Sequence, residues 1–258
     1  MNPRPLFLPL ALALLLAVAA PARSLLADPL ANLSEAQRTE LNELLASASQ
    51  DVAGIRMFEA LQTLNQAEAI APDFHVIYNL RGAVYTKLKD FDRARGYFDR
   101  ALRLNPDAYE PRFNFHEIDF VTGEYQRALA GFQQILNDFP RIAEQMRDMI
   151  RYKIFLCHLK LDQRQQADAV AERFDYLDDS PAYYFSRAAT ALIDDDEGKA
   201  QQWIATASRI YGDETAQLYL DSLQELGLVP SISAAAGQLP PGQTGEIPAP
   251  PPLPGVEP

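Results

Sequence analysis

The chain has 258 residues, 48 % of them hydrophobic, and a formal charge of −12 from 23 basic and 35 acidic side chains. That is enough apolar material for one sizeable or extended core. The acidic balance argues against nucleic acid as a partner, because phosphate binding needs clustered Lys and Arg. Cys157 is the one cysteine, which excludes an internal disulfide framework and a cysteine-rich zinc site.

The first segment reads as an export signal. Arg4 is followed by an apolar run from Leu6 to Ala20, then by small residues. Ala17-Val18-Ala19 and Ala20-Pro21-Ala22 each offer a cleavage site, and the second is favoured, giving a signal peptide over residues 1–22. The run falls short of the roughly 20 residues of a comfortable membrane span, so no integral span is expected in the mature chain. Retention of the segment as an N-terminal anchor is the alternative. The mature protein is expected outside the cytoplasm, periplasmic or secreted.

A helical domain is expected over residues 23–230. Ser34 with Gln37 fits a capping box at the first helix. Asn32-Leu33-Ser34 is also a glycosylation sequon, relevant only in a eukaryotic secretory route. Beyond it a repeat begins. Ala60, Ala94, Ala128, Ala167 and Ala200 are spaced by 34, 34, 39 and 33 residues. Four residues after each stand Leu64, Phe98, Phe132, Ala171 and Ile204. Seven residues after each stand Ala67, Ala101, Ile135, Phe174 and Ala207. Steps of four and seven share one helical face. Pro72, Pro106 and Pro140 follow the first three anchors by 12 residues, where a helix must stop. Short turns such as "KDFDRA" and "GEYQRA" lead into the anchors. The extra residues before Ala167 fall in "PRIAEQMRDMIRYKIFLCHL", which predicts a first helix of the fourth unit longer by about a turn.

The run "DDDEG" at Asp194–Gly198 lacks the alternating ligands of a calcium loop and reads as a solvated acidic turn. Cys157, His158 and His116 lie on neighbouring helices, but a metal needs three or four placed ligands, and Cys157 reads better as a small buried apolar residue. No metal and no cofactor are expected. "DETAQLYLDSLQELGLVP" closes the array with one more helix: Asp213 is expected to cap its start, Leu220 and Leu223 to face inward, and Gly227 to end it. From 231 to 258 the chain holds eight prolines in 28 residues and reads as a disordered, partly polyproline tail acting as a spacer. Its "PAPPPLP" also suits an aromatic-lined groove.

The run "YNLRGAVYTKLKDFDRARGYFDRALRLNP" and, in its second half, "RFNFHEIDFVTGEYQRALAGFQQILNDFP" resemble the tetratricopeptide repeat, a 34-residue pair of antiparallel helices, A and B. The resemblance covers roughly residues 35–212. It departs from the family pattern at His116 and Phe155, which take the small-residue position of helix A, and at Phe174 and Asp179 in the fourth unit. It implies an all-α, right-handed solenoid of about five helix pairs with a C-terminal capping helix. One pair cannot bury its apolar faces alone, so the pairs must stack.

The resemblance also implies a groove lined by the A helices. By this register it takes Phe113 and Phe120, then Tyr152, Leu156 and Leu159, then Phe185 and Leu192, with Asn79 and Lys87 as a polar rim. A carboxylate clamp of the family's type would fall on Asn79, Ala83, Asn114, Met149 and Lys153. Only one amide and one cation match, which argues against it. The expected function is a non-enzymatic extracytoplasmic interaction scaffold or assembly factor that binds a protein or peptide partner, with self-association left open. A membrane-tethered assembly subunit and a cell-envelope enzyme are the alternatives.

Overall fold

The computed structural model describes residues 29–229; the expected signal segment and the proline-rich tail lie outside them. Eleven α-helices and no strand occur among the described residues. Five antiparallel pairs follow one another: α1 (Glu35–Ala53) with α2 (Met57–Ile70), α3 (His75–Lys87) with α4 (Phe91–Leu104), α5 (Glu110–Val121) with α6 (Tyr125–Asp138), α7 (Glu144–Lys160) with α8 (Arg164–Ala171), and α9 (Ala182–Ile193) with α10 (Glu197–Tyr211). A last helix, α11 (Asp213–Glu225), has no following partner among the described residues. No helix among them is long and apolar enough to cross a membrane.

The repeat is written into the backbone as well as the side chains. Each A–B turn carries one residue in the left-handed region: Ile55, Lys89, Gly123, Asp162 and Asp195. Their spacing, 34, 34, 39 and 33 residues, is that of the anchor alanines. After each, a backbone N–H reaches back five residues: Arg56 to Asp51, Asp90 to Tyr85, Glu124 to Asp119, Gln163 to His158 and Asp196 to Ala191, at 2.8–2.9 Å. One turn geometry therefore redirects the chain five times. Ile55 is the costly member, a β-branched residue at φ 59° with 77 % of its surface exposed. Ile55→Gly is expected to raise stability by about 1 kcal/mol, the usual penalty of a left-handed L-residue, read as a higher midpoint in thermal or urea unfolding.

All five anchor alanines are fully buried, and the residues seven positions on are buried too. Small anchors let each B helix lie close to its A helix, and the larger residues fill the space towards the next unit. The core is accordingly a line of clusters: Leu41, Leu64 and Ile77 at the N-terminal end, Phe98 with Ile118 in the middle, and a larger cluster from Phe120 to Leu226. Helix α2 stops at Ile70, α4 at Leu104 and α6 at Asp138, each two residues before its proline. The capping box at Ser34 and Gln37 is formed: the Gln37 N–H donates to Ser34 Oγ and the Ser34 N–H to Gln37 Oε1.

Departures from the repeat pattern have local compensations. His116 fills the small-residue position of α5, and the small residue has moved to the facing helix. A Cβ on Gly131 of α6 would lie 2.2 Å from the His116 ring. Asp119 holds that ring through Nδ1 at 3.2 Å and is itself buried against Arg95 at 2.9 Å and Arg127 at 3.3 Å. Burial is the larger influence on His116 and lowers its pKa against the pull of Asp119. Gly131→Ala is expected to destabilise the protein in thermal melts: overpacking of about 1–3 kcal/mol exceeds the roughly 1 kcal/mol gained in helix propensity.

The fourth unit differs most. Helix α7 has 17 residues where α3, α5 and α9 have 12 or 13, the extra turn expected from the sequence. Helix α8 has only 8 residues, so Phe174 lies beyond it and is buried from the following turn instead of from a helical face. At the last helix the cap is Gly212, at φ 80° and ψ 156°, and not Asp213, which is already the first helical residue. Gly227 ends α11 as expected. The Gly227 N–H donates to the Gln224 carbonyl and the Leu228 N–H to the Leu223 carbonyl, a Schellman closure.

Candidate interaction groove

The inner strip expected on the A helices is present as a set of side chains, but α11 lies over its C-terminal half. Helix α11 packs beside α10 and α9, and Tyr219 at its middle reaches two A helices. Its ring stands 5.1 Å from Tyr152 of α7 and 5.6 Å from Phe185 of α9, the second stacked at 29°. Tyr152, Leu156 and Phe185 are fully buried, and Leu159 nearly so. Phe120 is also fully buried, edge-on to Tyr125 and beneath the Lys153 ammonium at 4.3 Å. In this conformation these five residues pack the protein's own core. Phe113 is half-buried against Phe132 of its own pair, with ring centroids 5.6 Å apart. Leu192 is half-buried, in a shallow crevice shared with Gly227 and Leu228. Asn79 sits on α3, half-exposed, and accepts a hydrogen bond from Asn114 Nδ2 at 2.9 Å. Lys87 is exposed at the end of α3.

Lys153 is the organising charge. It is 3 % exposed, and its ammonium lies 2.8 Å from Glu117 of α5 and 3.0 Å from Glu225 of α11. A lone buried cation would be prohibitively costly, so the two carboxylates are what permit it there. Burial works against the Lys153 charge, but Glu117 and Glu225 outweigh it and hold its pKa above the ordinary value. Glu117 is pushed the other way: burial dominates and raises its carboxyl well above the usual range, although Lys153 draws it back. The triad therefore ties α5, α7 and α11 across the inner face. Lys153, the one cation that falls on a position the resemblance assigns to a clamp, is occupied by two carboxylates of the chain itself, one on α5 and one on the last helix.

Several polar atoms at this contact have no protein partner although they are buried. They are Glu117 Oε1, Tyr152 OH and, on the inward side of α11, Ser222 Oγ. Nearby, Asp148 accepts from Ser180 Oγ at 2.9 Å and pairs with Arg151 at 3.1 Å.

The remaining chemistry-bearing residues do not converge. His158 is bonded through Nδ1 to Gln163 at 2.7 Å, and His116 to Asp119, so each serves its own helix pair. Cys157 is fully buried, and burial pushes its thiol pKa up to about 12, which makes it unreactive. In the acidic run, Asp196 caps α10, Asp195 takes the left-handed turn and Asp194 pairs with Arg164 at 3.0 Å. Among the described residues, no group of three or more His, Cys, Asp or Glu is arranged to hold a metal. An open cleft of about 500 Å³ runs between α8, α9 and α10; Trp203 and Arg187 line it among Asp168, Glu172, Asp194 and Asp196.

In sequence, the tetratricopeptide repeat family matches residues 75–108, the span of α3 and α4. No curated protein matches the chain. Solved structures match it at low identity. A tetratricopeptide repeat protein from Parabacteroides merdae superposes with a TM-score of 0.56 at 18 % identity, over 71 % of each chain. A thermophilic protein of the same kind from Thermus thermophilus gives 0.55 at 17 % identity, over 72 % of this chain and 98 % of that one. PilW, described as a widely conserved type IV pilus biogenesis factor, gives 0.54 at 18 % identity, over 76 % and 89 %. With the five paired helices and their shared turn geometry, these matches establish that the chain carries a tetratricopeptide repeat at residues 75–108 and has the fold of tetratricopeptide repeat solenoids.

Proposed function

We propose that the protein is a non-enzymatic extracytoplasmic scaffold or assembly factor that holds a protein partner on the inner face of its A helices. The observation that carries this reading is the seating of α11. An amphipathic helix lies on that face through an aromatic anchor, Tyr219 on Tyr152 and Phe185, and a charge anchor, Glu225 on Lys153. A face with buried aromatic rings and one matched charge is the composition of helix-in-groove recognition. The open part of the same face, with Asn79, Asn114 and Lys87, extends it towards α1. The location rests on the export segment at residues 1–22. The assembly role takes its direction from that location and from the pilus biogenesis factor among the proteins sharing the fold.

The test is capture from a cell-envelope extract by the immobilised full-length mature chain, with cell fractionation and the mass of the mature N-terminus measured on the same material. The expected result is a stoichiometric protein partner and a chain beginning at Arg23 or Ala20 in an extracytoplasmic fraction. Recovery of the protein only in the cytosol, or turnover of an envelope substrate with no protein captured, would overturn the reading.

A further inference from the structure

The joint between α10 and α11 is a single residue. Helix α10 ends at Tyr211, α11 begins at Asp213, and Gly212 closes one and opens the other. Its N–H donates to Ser208, and its carbonyl accepts from Ala216. At φ 80° and ψ 156° it occupies a region that glycine alone enters readily. Rotation at this one residue redirects the whole of α11 as a unit, at the loss of its packing beside α10 and α9.

The contact that α11 makes with the inner face is also an imperfect one. Three buried polar atoms there lack protein partners, and the charge link is shared between Glu117 and Glu225. Each of these groups can hydrogen-bond water once α11 leaves, which offsets part of the cost of undocking. Helix α11 is acidic throughout: Asp213, Glu214, Asp221 and Glu225 are its charged residues, with no basic one. Its inward residues are Ala216, Tyr219, Ser222 and Leu223. The groove beneath offers aromatic rings and one cation.

We infer that α11 is an exchangeable occupant of the inner groove, which swings out about Gly212 and yields its place to a partner's acidic amphipathic helix. That helix carries a tyrosine or another large ring, a leucine four residues on and a carboxylate two residues further. Tyr219, Leu223 and Glu225 define this spacing. The inference rests on the scaffold reading and specifies its partner. It also explains why the strip expected to face a ligand is buried: the protein holds its own ligand there. While α11 is docked the groove is closed, and apparent affinity for any competitor falls by the fraction of molecules that are open.

The probe is a fluorescently labelled synthetic peptide with the sequence of residues 213–228, titrated by anisotropy against the full-length protein. Two variants open the groove by different routes. Gly212→Ala makes the docked backbone strained and leaves every groove residue in place. Tyr219→Asp leaves the joint and spoils the docking face of α11 itself. Both are expected to bind the peptide at least tenfold more tightly than the parent. Peptides carrying Tyr219→Ala or Glu225→Gln are expected to bind the opened variants at least fivefold more weakly. Equal affinity across parent and both variants would overturn the proposal. So would variants that dimerise and shut the peptide out, which would assign the groove to a second copy of the chain. Peptide capture by the opened variants, with no partner from an envelope extract, would remove the scaffold reading and leave the exchangeable helix standing.

Discussion

Lys153→Met is expected to lower the unfolding free energy by about 3–5 kcal/mol, the usual cost of removing one partner from a buried ionic cluster. Glu225, on the outer side of the triad, has a third of its side chain exposed and turns to water when its partner is lost. Glu117 cannot: its side chain is 18 % exposed, and one of its oxygens already lacks a partner. The penalty therefore concentrates on Glu117. Adding Glu117→Gln to the methionine variant is expected to recover part of the loss, and more of it as pH rises, because without Lys153 the buried Glu117 must take up a proton to fold and a permanently neutral amide need not. Urea unfolding of the two single variants and the double variant reads this out. Additive losses would show that the 2.8 Å pair carries no coupling.

Tyr152→Ala is the second large loss. The ring is fully buried and touches Phe155 on its own helix, Phe185 on α9 and Tyr219 on α11. Removing it opens a cavity where three elements meet, at a typical cost of about 3–5 kcal/mol for a large aromatic. The control separates shape from polarity. Burial raises the Tyr152 hydroxyl pKa well above its ordinary value, and that oxygen has no protein partner. Tyr152→Phe keeps the ring and deletes the unpaired group, so it is expected to be neutral or stabilising. A loss for the phenylalanine variant comparable with that of the alanine variant would mean that the hydroxyl is satisfied in solution.

The solenoid was legible from residues alone because its construction is local. Small anchors such as Ala94 and Ala128, the proline stops and the capping box at Ser34 each act within one helix pair; the anchors recur in all five pairs and the stops in the first three. The longer α7 was legible for the same reason: five inserted residues kept helical spacing and had to extend a helix. The compensation at Gly131 was readable in principle, since a bulky His116 on one helix requires space on the other. Finding it needs the facing register and not the repeat alone.

The closure of the groove was not legible. Tyr152, Leu156 and Phe185 have the same apolar character whether they face a partner or the chain's own last helix. What decides between the two is the direction of α11, which depends on the backbone of Gly212. The Lys153 triad is hidden in the same way, because Glu117 lies 36 residues before it and Glu225 lies 72 after it, and no local pattern connects them. The cap at α11 shows the effect at the scale of one residue. Asp213 has the preferred side chain for a cap, yet the sharp turn required there gives that position to glycine.

A double-mutant cycle between Tyr152 and Tyr219 tests most directly whether α11 lies across the inner face of the A helices. Each tyrosine is replaced by leucine, singly and together, and stability is measured by urea unfolding. Rings 5.1 Å apart on different helices are expected to show a coupling of about 0.5–1.5 kcal/mol. Strictly additive losses would place α11 away from the groove and contradict the closed inner face on which the function proposed above depends.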